Sequence, residues 1–200
     1  MIKAIQKIKN KKGFTLVELI VVIAIIAILT AVIVPLVGRY AAQATYTALQ
    51  DNAKTVSTTA STVIADVTRL GTVYSNKVLV GVKSDNDLKI YAFKADGKTA
   101  IDTTGDDADK DSATVCSNLV QGLNDAVANN SSFIILVGNA GSVSAVAYSN
   151  DKSLVDGNKP VASLAVAKGD FDDTYKVGDK PIGVYGDFAS VATHSVSIPD

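Results

Sequence analysis

One carboxylate occupies a costly position. Glu18 opens onto Leu19–Val37, a run without a charge in which only Thr30 and Pro35 interrupt the apolar pattern. It is also the sole glutamate of the chain, every other acid being an aspartate. A carboxylate beside hydrocarbon costs roughly 2–3 kcal/mol or more on insertion scales, and a residue kept there is functional by default. The chemistry open to it is electrostatic: to meet a counter-charge inside an apolar bundle. A second acidic group is Asp107-x-Asp109-x-Asp111, at the end of the loop Asp102–Asp111, which copies the first three ligand positions of an EF-hand. Ser112 replaces the glycine that such a loop needs, and Asn118 stands in place of the bidentate glutamate. A solvated loop without metal is the expectation. Cys116, the single cysteine, falls on the apolar face of a predicted helix and reads as a buried small hydrophobe. His194, the only histidine, lies on a predicted C-terminal strand and reads as solvated. There is no nucleophile elbow, phosphate-cradling glycine loop or CxxC pair, so neither enzymatic activity nor a cofactor is expected.

The elements that position Glu18 begin at the N-terminus. Lys3, Lys7, Lys9, Lys11 and Lys12 precede Gly13 with no acid among them. Without those five the chain keeps 14 basic against 20 acidic residues, a net of about −6. Such a body does not seek nucleic acid, because phosphate binding depends on clustered Lys and Arg. Leu19–Val37 meets the ~20 residues that a helix needs to cross a bilayer core. The lysines before it hold that end in the cytoplasm and send the rest outward. Three readings fit. One is a secretory signal peptide cut after Ala42-Gln43-Ala44, although the apolar run exceeds the usual h-region and begins beside an acid. Another is a permanent single-span anchor carrying an exported binding domain.

The third rests on a motif. Lys11-Lys12-Gly13-Phe14-Thr15-Leu16-Val17-Glu18, followed by the apolar run, resembles the processing site of type IV prepilins. The resemblance covers about residues 7–40 and carries several expectations. Residues 1–13 would be a leader removed by the prepilin peptidase between Gly13 and Phe14, and the same enzyme would methylate the Phe14 amine. Glu18 would become the fifth residue of the mature chain, pair with a neighbour's N-terminus and set the register of assembly. Pro35 matches the proline common in this helix and would kink it. Residues 14–38 would form the membrane and filament-core half of the helix, and 39–200 the outer pilin domain. The implied partners are copies of the chain itself, the peptidase, the pilus assembly machinery and, before assembly, the membrane. The implied locations are the cytoplasmic membrane and then a surface filament. A pseudopilin of a type II secretion or competence system would share this N-terminus. One cysteine departs from the many family members that clamp a C-terminal loop with two, and fits a Gram-positive, clostridial kind.

Beyond the span, Ala42, Tyr46, Leu49, Ala53, Val56, Ala60, Val63, Val67 and Leu70 recur at alternating intervals of four and three. This predicts one helix from Phe14 to Leu70, about 85 Å long at ~1.5 Å per residue, with Gly71 as C-cap. Period-two patterning then predicts strands at 77–83, 88–94, 133–137, 143–148, 161–167, 182–188 and 191–198. A second helix is expected over 113–128, capped by Ser112 or Asp111. Strands in hairpin succession imply an antiparallel sheet with one face on the long helix: an α+β, pilin-like ladle.

Overall fold

The computed structural model describes residues 13–71, 73–152, 154–155, 166–168 and 175–186. The predicted strand at 191–198 and His194 lie outside the described residues, as does most of that at 161–167. The elements are α1 (Leu16–Arg69), β1 (Lys77–Ser84), β2 (Asp87–Lys94), α2 (Lys110–Leu123), β3 (Ser132–Val137), β4 (Val143–Ser149), β5 (Val166–Lys168), β6 (Tyr175–Val177) and β7 (Lys180–Gly186). The class is α+β, as the patterning predicts. Two compact units divide the chain between Ala42 and Gln43.

In the first unit α1 starts at Leu16 and runs through Pro35 as helix. It buries nothing. Its large apolar residues from Phe14 to Val37 are all exposed, and none of the apolar window is covered. In water such a surface would be intolerable, so this segment is built for an apolar surrounding.

In the second unit the remainder of α1 packs on a seven-stranded antiparallel sheet of order β2-β1-β3-β4-β7-β6-β5. The hairpin β1–β2 turns at Asp85 and Asn86, both with positive φ (48° and 70°), the pairing that a tight two-residue turn of right-handed strands demands. Leu79, Ile90, Phe133, Ile135, Val146 and Tyr148 alternate onto one face of the sheet and meet α1 and α2. The opposite face is buried as well, through Val78, Val80, Phe93, Ile134, Leu136, Ala147 and Ile182, joined by Leu154 and Val155. β3, Ser-Phe-Ile-Ile-Leu-Val, is therefore apolar on both faces and buried throughout.

The helical stripe holds with one substitution. Tyr46, Leu49, Ala53, Val56, Ala60 and Val67 are buried as expected, but Ile64, not Val63, completes the row. Ala42 and Leu70 are exposed. α1 comes so close to β7 that a Cβ on Gly183 would fall 2.0 Å from the Leu49 carbonyl oxygen. Only hydrogen fits between strand and helix backbone there. Gly71, at φ +111°, donates to the Thr68 carbonyl and ends the helix as its position predicts.

Two expectations need correction. α2 spans 110–123 rather than 113–128, and its N-cap is Asp109, whose side chain accepts from the Ser112 N–H. Ser112 is instead fully buried, its hydroxyl accepting from Lys77 at 2.9 Å. Just past the helix end, Lys83 of β1, buried despite its charge, donates to the carbonyls of the C-cap Asn124 and of Val127 (the latter at 3.0 Å). A cation on the last free carbonyls satisfies the helix end and its negative dipole together. β6 was not legible in the sequence: three residues leave too short a period to detect.

Candidate functional site

Gly13, Phe14 and Thr15 precede the helix in non-helical backbone. Phe14 is 89% exposed, and nothing lies within 4 Å of where a Gly13 Cβ would be. The Gly13–Phe14 peptide bond is thus open to an enzyme, at the point where chain becomes helix.

Thr15 and Glu18 form a reciprocal cap. The Thr15 hydroxyl accepts from the Glu18 N–H at 3.2 Å. Glu18 Oε2 accepts in return from the Thr15 N–H and hydroxyl, both at 2.8 Å. A helix start leaves its first N–H groups without partners, and a threonine with a glutamate three residues on satisfies two of them. In hydrocarbon those donors would be expensive to leave bare, so the cap offsets part of the cost of Glu18 within its own chain. The signal was present as Thr-x-x-Glu before an apolar run; the sequence reading weighed the carboxylate and overlooked Thr15. Glu18 Oε1 has no partner among the described residues and is open to a second donor.

Past the cap, Leu19–Gly38 offers twenty residues free of charge, which rise about 30 Å and match a bilayer core. Thr30 does not spoil the run, because its hydroxyl donates to the Ile26 carbonyl at 2.7 Å. Pro35 leaves the Ala31 carbonyl without its usual helical donor.

Residues 8–34 match a protein-family model described as the prokaryotic N-terminal methylation motif. The chain carries a prepilin-type N-terminus. The match includes the Gly13–Phe14 junction, the Thr15–Glu18 cap and most of the apolar run, and stops short of the second unit. No curated protein and no solved structure matches the chain. The prepilin-type segment therefore carries the identification alone.

Asp109 and Cys116, also singled out in the sequence, are engaged in the second unit. The Asp109 carboxylate is held by groups of the fold itself. Its Oδ1 takes the Ser112 N–H at 2.9 Å and its Oδ2 the Lys77 ammonium at 2.8 Å. Partial burial works against its charge, but the bonds from Lys77 and Ser112 outweigh that and lower its pKa. Among the described residues no three His, Cys, Asp or Glu side chains gather as a metal site. Cys116 is buried, and burial pushes its thiol up to about 12, which makes it inert as a nucleophile. The Tyr74 ring lies 4.7 Å beneath the Lys77 ammonium, so this corner joins the start of β1 to the start of α2.

Proposed function

We propose that the chain is a type IV pilin, cut between Gly13 and Phe14, methylated on the Phe14 amine and polymerised into a pilus through α1. The observation that carries this reading is the pairing of a prepilin-type motif with an exposed apolar stretch of α1, residues 16–38, whose only charge, Glu18, keeps one carboxylate oxygen free. Cutting before Phe14 creates an amine of pKa ~8, cationic at neutral pH and still cationic after methylation. An incoming subunit that sets this amine against a neighbour's Glu18 neutralises both charges inside the bundle. A wrong stagger strands one of them at a cost of several kcal/mol, which makes the pair a register device. Pro35, with the unpaired Ala31 carbonyl, is where we place the bend or loosening of the packed helix. Residues 42–44 are helical, which disfavours an ordinary signal peptidase, since such an enzyme needs an extended site.

Intact mass tests the processing: a chain starting at Phe14 with one added methyl group is expected, and one starting at Thr45 would establish a secretory signal peptide instead. Filament yield at matched levels of processed subunit tests the pairing. Glu18→Ala should be cut and inserted but lose filaments, with Glu18→Asp intermediate, since it keeps the charge and shortens the reach. Normal assembly of Glu18→Ala would refute the charge pair. Imaging the cell surface separates a pilus from a short envelope-bound pseudopilus.

A further inference from the structure

Arg39 is the only cation between Lys12 and Lys54, and it stands one residue past the end of the charge-free run. It is exposed, as is Tyr40 at 64%, and Arg39 makes no ion pair with any described residue. From Glu18 to Arg39 the helix rises about 32 Å, close to the ~30 Å of a bilayer core. A guanidinium at that height sits in the layer of lipid phosphates, whose two non-bridging oxygens its planar fork can bind in bidentate fashion. An aromatic hydroxyl beside it prefers the same layer, with its ring among the acyl chains and its polar end in water. We propose that Arg39 and Tyr40 bind the phosphate headgroups of the outer leaflet and fix the depth at which the unassembled subunit stands. The proposal rests on the membrane-spanning reading of α1 and adds to it a lipid contact that extraction into a filament has to break. Without Arg39 the next charge outward is Asp51, so the helix has no outer charged stop for three turns.

The test uses the full chain in phosphatidylglycerol vesicles, with a fluorophore on Ala42→Cys and depth read from quenchers fixed at known positions along the lipid. Cys116 is buried and stays unlabelled in the folded protein. In the Arg39→Leu/Tyr40→Leu chain the label should move toward the bilayer centre by about 3–5 Å, two to three residues of rise. Arg39→Lys should hold it near the original depth. The unsubstituted protein in vesicles of a neutral, phosphate-free glycolipid should show the same inward shift. A double variant whose label moves less than one residue's rise, about 1.5 Å, overturns the proposal. So does a label in the glycolipid that stays where it was. Loss of filaments by Arg39→Leu with unchanged depth would assign Arg39 to an acid on a neighbouring subunit and likewise overturn it. A separate probe on Ala27→Cys reads the span itself. If mid-chain quenchers reach that probe, a failure above falls on the anchor alone; if they do not, the membrane reading falls first.

Discussion

Between Leu16 and Val37, α1 has the composition of a protein core and buries none of it. Between Tyr46 and Val67 it is rich in Thr, carries Asp51, Lys54 and Asp66, and yet supplies Leu49, Ala53, Val56, Ala60 and Ile64 to the centre of a folded domain. One helix thus meets two solvents. In the first part hydropathy specifies the environment, because from Leu19 to Val37 every side chain but that of Thr30 is apolar and the backbone largely satisfies itself. In the second part a single stripe is apolar and the sheet does the rest. Thr55, Thr58 and Thr62 are poor helix formers on the exposed side, and each donates its hydroxyl to the carbonyl four residues back. Helicity there is held by packing, whereas in the span it is held by the apolar surroundings.

Substitution at matched apolar positions breaks the comparison most directly. Leu49→Ala should cost the second unit about 2–5 kcal/mol in urea unfolding, the range for a large core residue cut to alanine. Ile26→Ala, at an exposed position in the span, should leave the same unfolding curve unchanged. Equal losses would mean that the two parts are not energetically distinct.

Gly183→Ala comes next. A methyl group 2.0 Å from the Leu49 carbonyl forces helix and strand apart, and about 1–3 kcal/mol is expected from overpacking of this kind. A normal melting temperature for that variant would show that α1 does not lie against β7 at this spacing.

Acid should act on the second unit and spare the apolar stretch. Thr99 and Lys98 hold the Asp96 carboxylate by hydrogen bonds, lowering its pKa to about 2, and Asp109 is lowered by Lys77 and Ser112. Carboxylates depressed on folding stabilise above the unfolded value near 3.9, and that contribution is lost as pH falls through the folded value. The urea midpoint should therefore fall from pH 4 toward pH 2. Asp96→Asn/Asp109→Asn should start lower at pH 7 and show a shallower fall. A slope the same as that of the unsubstituted protein would mean that these two groups do not carry the effect.

The smallest effect sharpens the point about propensity. Thr58→Ala should stabilise the second unit by about 0.5 kcal/mol, because alanine is the better helix former and the lost hydroxyl served only its own helix. Destabilisation instead would show that Thr58 does more than face outward.

Much of the candidate site was legible because it is local. Gly13, Phe14 and Glu18 lie within six residues, and the run that follows needs no partner to declare itself. Thr15 was equally readable and was passed over because the isolated charge drew the functional reading. α2 was displaced for a different reason. Asp109, Asp111 and Ser112 are all acceptable caps by type, and the choice among them fell to Lys77, distant in sequence, which fixes Asp109 from β1. Lys83 is a case that no local pattern reveals, since its burial depends on two carbonyls more than forty residues away.

By itself the sequence determined the span, the site at its start, the long helix with its stripe and end, and the alternation of most strands. These follow from spacings of a few residues, within which backbone periodicity and side-chain chemistry act directly. Only the tertiary structure decided that Ile64 rather than Val63 turns inward, that both faces of the sheet are covered, that β7 lies beside β4, and that Gly183 must be bare. Each of these depends on what arrives from elsewhere in the chain to exclude water, and spacing along one segment carries no record of that arrival.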